Sequence, residues 1–302
     1  MYEILVKAVC FIAIIILGFV LRCVGFFKEG DFRVLSQITL KITLPAAIVV
    51  SFSQMVIDAS MLTISLIALG CGVVYMLIAF LMNLRTSKKD RAFEVLNLPG
   101  YNIGLFAMPF VSSFLGPVGG VTTSLFDTGN AFVCLGGSFG VASSINDGSG
   151  FSLKRICKAL LTSVPFMTYI IMIILNLTGV HLPKPVISLA DTIRGANTFM
   201  AMLMLGVGFK LETNKEQIFK IVKLVVVRYV VAAAFACVFY FVLPFELEIR
   251  QTLVLLAFSP IGAAVPAFTA EMKGDFGLSS AVNSICILCS IVFMTVLMLV
   301  ML

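Results

Sequence analysis

The chain of 302 residues has no tryptophan, one histidine and charged side chains at only 12% of its positions. An ordinary soluble protein carries charge at about a quarter of its residues. Here 60% of residues are hydrophobic and the mean hydropathy is +1.12. A soluble fold of this length has no way to hide so much apolar surface, so an all-α membrane protein is expected. The one histidine, His181, sits in a short polar loop near Pro183. That leaves almost nothing on which to build a metal site or a histidine proton relay. The eight cysteines show no extracellular spacing and mostly fall inside apolar runs, where they read as small packing residues. Cys286-Ile-Leu-Cys289 has redox or metal spacing but no partner pair, and packing is the better reading. No nucleophile–base pair, phosphate loop or carboxylate dyad is visible, so neither catalysis nor a cofactor is expected.

What the chain does have is long apolar runs. A spanning helix takes about 20 apolar residues, and ten candidates can be drawn, at 4–21, 33–53, 60–84, 92–115, 118–145, 156–178, 185–209, 218–243, 248–271 and 278–301. The first has Glu3 in front and no small-x-small cleavage site behind, and reads as a span rather than a signal peptide. In a ten-span arrangement the loops after runs 1, 3, 5, 7 and 9 share a side, and they carry fifteen basic residues. The opposite side carries only Lys7, Lys184 and Arg250. By the positive-inside rule the basic side is cytoplasmic. A multi-pass protein of the cytoplasmic membrane with both termini outside is therefore expected. The net charge of +6 is a topology signal, with lipid headgroups as a minor partner and no nucleic acid.

Five runs precede the loop at 146–155 and five follow it. An odd number per half turns the second half over, so residues 1–147 and 148–302 are expected to form two inverted five-helix repeats. The fourth run of each half is interrupted. One break runs through Asn97-Leu-Pro99-Gly100-Tyr-Asn102-Ile-Gly104 and is closed by Pro109; the other is Ser259-Pro260-Ile-Gly262, closed by Pro266. Pro99 and Pro260 lie 161 residues apart, Pro109 and Pro266 157 apart. Proline inside a helix removes a donor and frees carbonyls, which a membrane tolerates only where backbone is buried in protein or lines a wet cavity. Matched broken helices point to a transporter's binding site. Half-helix N-termini there suit a carboxylate, and Asn97, Asn102 or free carbonyls suit polar groups or a cation.

Ionisable groups inside apolar runs carry a cost and so call for a role. Asp127 lies too deep in its run to reach water by extension, and Asn130 shares its helix face. The pair reads as an ion or proton site beside the first break, or else as a hydrogen-bonded packing node. Lys41 and Arg194 occupy similar places in the second run of each half and would suit an anion. Alternatively they snorkel, and Arg194 pairs with Asp191. Arg228 reads as an interfacial anchor. Asn283 and Ser284 fall roughly where Asp127 falls in the first half, and either line the site or act as interhelical glue.

Together these residues resemble the auxin efflux carrier family in its bacterial branch, within the bile acid, arsenite and riboflavin transporter-like superfamily. The similarity is carried by Asn102-Ile-Gly104-Leu-Phe-Ala-Met-Pro109, by Phe126-Asp127-Thr-Gly129-Asn130-Ala131 and by Gly18-Phe-Val-Leu-Arg22 with Gly25. Leu44-Pro45-Ala46, Ser259-Pro260 and Met202-Leu-Met-Leu-Gly206-Val-Gly208 add to it. The chain departs from the pattern at Gly262-Ala-Ala-Val-Pro266, where a polar residue is usual, and at Lys41, where an apolar or aromatic one is usual. The resemblance implies broken helices crossing at the prolines, a scaffold of runs 1, 2, 6 and 7, and a moving unit of runs 3–5 and 8–10. It also implies an elevator-type mechanism, a homodimer and small organic anions as substrates.

The expectation is thus a secondary active carrier of a mono- or dicarboxylate or aromatic acid. Asn97, Asn102, Gly104, Pro109, Ser259, Pro260, Gly262, Asn283, Ser284, Lys41 and Arg194 are its substrate-binding candidates, and Asp127 and Asn130 its coupling residues. The rivals are a sodium-coupled bile-acid-type carrier, a membrane receptor that binds without transporting, and a channel.

Overall fold

A computed structural model describes residues 2–28, 30–148, 151–210 and 215–301; among them the chain is helical and has no strand. Ser149 and Gly150 of the loop between the halves, and both terminal residues, lie outside the described residues. Helices α1 (Tyr2–Cys23), α2 (Asp31–Ser53, with a π-helical turn at Thr39–Thr43) and α3 (Ala59–Met82) come first. Then α4 (Lys88–Asn97) and α5 (Ile103–Ser112) flank the first break. A π-helical turn at Val133–Gly137 joins α6 (Gly116–Phe132) to α7 (Ser138–Asp147). They are followed by α8 (Leu153–Thr162), α9 (Val164–Leu177), α10 (Lys184–Arg194), α11 (Asn197–Val207) and α12 (Lys215–Phe241). The second break separates α13 (Leu247–Ala257) from α14 (Val265–Glu271), and α15 (Phe276–Met301) ends the fold.

Among the described residues five helices (α1, α2, α3, α12 and α15) are long and apolar enough to cross a membrane, and α8 with α9 makes a sixth if that pair, bent by 75°, is one span. The chain is accordingly an all-helical protein suited to membrane insertion. The remaining apolar runs come as pairs of shorter helices. Both interruptions expected at Pro99 and Pro260 are present, and breaks at Ser163 and at Gly195 were not anticipated. Pro165 in the first turn of α9 has no N–H to return to α8, and the Ser163 hydroxyl accepts from the Phe166 N–H instead, starting a new helix.

Three contacts position the centre of the molecule. α1 and α11 touch backbone to backbone: a Cβ on Gly206 would fall 2.0 Å from the Ile15 carbonyl oxygen, and Arg22 donates to the Val207 carbonyl at the end of α11. α6 lies as closely on α3, where a Cβ on Gly129 would fall 1.8 Å from the Ser65 carbonyl oxygen. α12 is tied to the start of α4 through Lys220 with Asp90 and through Lys223 with the buried Glu94, each pair at 2.7 Å. Two of the basic residues that read as orientation signals therefore also hold helices together. The Asp90 carboxyl is held below the usual carboxylate range, chiefly by the Lys220 hydrogen bond and then by that of Ser87.

Candidate functional site at the crossing of the two breaks

The two breaks meet. The backbone N–H of Asn102 donates to the carbonyl of Pro260 at 2.8 Å, so each interruption supplies a partner that the other lacks. Gly100 takes φ +77°, a conformation that disfavours other residues and lets the chain reverse after Pro99. Asn130, on the helix that Gly129 presses against α3, treats Tyr101 as a strand would. Its Oδ1 accepts from the Tyr101 N–H at 2.9 Å, and its Nδ2 donates to the Tyr101 carbonyl at 2.8 Å.

Arg228 completes the closure and corrects the sequence reading of it as an interfacial anchor. It is 1% exposed, and its guanidinium donates to the carbonyls of Leu98 (2.6 Å), Gly100 (2.9 Å) and Ser259 (2.7 Å). The rings of Tyr75 and Tyr101 flank it, 5.3 and 5.2 Å from the guanidinium carbon. One signal for this role was in the sequence: Arg228 stands 13 residues from either end of α12, too deep for a headgroup anchor.

Beside the crossing lies a cavity of about 310 Å³, walled by Phe32 and Leu44 of α2, Tyr101–Leu105, Asp127, Asn130, Tyr169 and Gly262–Val265. Among the described residues Asp127 is its only acidic side chain, and no lysine or arginine lines it. Asp127 Oδ1 accepts from Asn130 Nδ2 at 2.9 Å, and Oδ2 accepts from the Tyr169 hydroxyl at 2.8 Å. Tyr169 was missed in the sequence, where one phenol in the apolar run 156–178 reads as packing. Two kinds of unpaired donor lie at this wall of the cavity. The Asn102 Nδ2 is buried without a partner, and the first-turn N–H groups of α5 have no acceptor within their own helix. Gly104 brings that turn up to the carboxylate, since a Cβ there would sit 3.6 Å from Asp127 Oδ2.

Of the sequence candidates, Asn102, Gly104, Asp127, Asn130 and Gly262 therefore line one cavity, with Ser259 and Pro260 directly behind it. The others lie elsewhere. Asn97 is buried in a network with Thr269 and Ser279 that joins α4, α14 and α15. Pro109 is buried in the regular part of α5. Asn283 lines a second cavity of about 810 Å³ with Arg22, Lys210 and several phenylalanines, which adjoins the first and shares Phe32, Ala263 and Ala267 with it. Ser284 accepts from the Lys210 N–H. Lys41 is exposed on the π-helical turn of α2 and does not reach the crossing cavity. Arg194 is exposed and paired with Asp191 at 2.6 Å, the alternative weighed for it. Among the described residues no group of three or more metal-ligating side chains is present. No family model matches the chain, and no curated protein sequence matches it.

Proposed function

We propose that the chain is a secondary active transporter of a small organic anion, of the auxin efflux carrier type, coupled to protons through Asp127. In this reading the ten runs are spans, residues 1–147 and 148–302 are inverted repeats, and the basic loops face the cytoplasm. Runs 3–5 and 8–10 move against the scaffold of runs 1, 2, 6 and 7 and carry the crossing with them. A homodimer built through the scaffold belongs to the same reading.

The observation that carries it is the Asn102–Pro260 hydrogen bond at the wall of a cavity with one carboxylate. Interrupted backbone is costly in a membrane unless it serves a polar site, and two interruptions sharing one hydrogen bond make a single site. A substrate carboxylate suits the first turn of α5, Ile103–Leu105, which lines the cavity, and the Asn102 amide just behind that wall is a further donor once it turns inward. Seated there, it lies close to Asp127. Two negative charges 4 Å apart repel by about 4 kcal/mol at an effective dielectric of 20, roughly a thousandfold in affinity. The anion therefore binds when Asp127 holds a proton, and the two cross together.

Proteoliposomes loaded with purified protein test this. Uptake of labelled mono- and dicarboxylates is expected under an inward proton gradient and absent when the gradient is collapsed. The second reading, sodium coupling of the bile-acid type, is favoured by the negative sign of the cavity's one charge. Uptake that follows a sodium gradient at fixed pH supports it instead. Saturable binding with no flux under either gradient marks a receptor.

A further inference from the structure

Arg228 is a cation held in the manner of a bound ion. Among the described residues its three hydrogen-bond acceptors are backbone carbonyls and none of its partners is a carboxylate, and it is 1% exposed. The acceptors come from both halves of the chain. Leu98 caps the C-terminus of α4, Gly100 follows it, and Ser259 lies just past the C-terminus of α13. Two half-helix C-termini, each with partial negative charge, are thus aimed at one point. Carbonyl oxygens released by broken helices and converging in this way form the seat that membrane proteins use for alkali cations. A single nitrogen, Nη2, joins Gly100 to Ser259 and so bridges the two breaks.

We infer that Arg228 is the tethered cation of the crossing. It fills a carbonyl seat that otherwise requires a free ion, and it keeps the two half-helix C-termini together at every ionic composition. The inference does not depend on transport. It holds for a carrier, a receptor or a channel, and it assigns any free coupling ion to Asp127 rather than to the crossing. A packing role for Arg228 predicts only that its loss weakens the fold. A tethered-cation role predicts in addition that a free cation of the same shape restores what was lost.

The test is thermal unfolding of the purified full chain in detergent, followed by circular dichroism at constant ionic strength. Choline chloride is the reference, and sodium chloride and low millimolar guanidinium are exchanged into it. The Asp127→Asn protein, in which Arg228 is intact and the other anionic site is gone, is expected to keep the same Tm in all three. Arg228→Ala is expected to lose roughly 10 °C in choline and to regain about half of that loss in guanidinium. Arg228→Lys, which keeps a charge with fewer donors, should fall between the two in choline. An Asp127→Asn protein that sodium still stabilises overturns the inference. So does an Arg228→Ala protein that guanidinium leaves unimproved or unfolded, or an Arg228→Lys protein no more stable than Arg228→Ala.

Discussion

Asn102 donates its backbone N–H to the carbonyl of Pro260 at 2.8 Å, across 158 residues of sequence. Neither group has a place in a regular helix, because each belongs to a stretch that proline and glycine keep open. Their pairing explains how two breaks persist in an apolar chain. The polar groups released by one are satisfied by the other, by the Asn130 amide and by Arg228.

Asn130 should be a sensitive position for folding. Its amide meets both the N–H and the carbonyl of Tyr101, and alanine leaves both unpaired. At about 1–3 kcal/mol per orphaned buried group, Asn130→Ala should lower Tm by roughly 5–10 °C. Thermal unfolding of the purified variant checks this, and a loss within about 1 °C contradicts the role.

Tyr169→Phe should leave the fold nearly unchanged and alter coupling. It removes the hydroxyl that donates to Asp127 Oδ2 and costs about 1 kcal/mol of net hydrogen bonding. The carboxylate then keeps one of its two donors, Asn130, so the pH dependence of proton-driven uptake should change. Uptake measured from pH 5 to 8 with and without the substitution decides the matter, and superimposable profiles count against a coupling role.

The two cations that the sequence offered for an anion should be dispensable. Lys41 is exposed away from the cavity, and Arg194 is exposed and paired with Asp191. Lys41→Ala and Arg194→Ala should each keep substrate affinity within about twofold, under 0.5 kcal/mol. A tenfold loss in either variant would return that residue to the site.

Asp90 supplies a pH-dependent clamp at the basic end of the molecule. Lys220 and Ser87 hold its folded carboxyl below the usual range, so the group favours protons more in the unfolded chain. Its contribution is present above the unfolded value near pH 4 and is lost as pH falls through the lower folded value. The pair is largely solvent-exposed, so the effect is small. Asp90→Asn should lower Tm by no more than about 3 °C at pH 7, and the difference should close on acidification. A difference that grows as pH falls contradicts the assignment.

The apolar runs, both breaks and the Asp127–Asn130 pair were legible in the sequence because each violates a local rule. A proline interrupts a hydrophobic run, or a carboxylate sits where nothing nearby can reach water. The bends at Ser163 and Gly195 were not legible, since one serine or glycine in an apolar run is ordinary. The partners of Asp127 and of the free carbonyls were also hidden. Tyr169 and Arg228 lie 42 and 130 residues from Asp127 and Leu98, and only the packing of α9 and α12 brings them in. For Lys41, Arg194, Asn283 and Ser284 the sequence left two roles open for a related reason. Matching positions in the two halves of the sequence do not fix which face of a helix turns to the cavity.

The central claim is that Asp127 ties anion movement to a proton. Asp127→Asn mimics the protonated side chain and keeps an amide for Asn130 and Tyr169 to meet. In proteoliposomes this variant should fail to accumulate labelled substrate under an inward proton gradient, while exchanging labelled for unlabelled substrate across the membrane at near the wild-type rate. Gradient-driven accumulation with the pH dependence of the wild type would contradict the account.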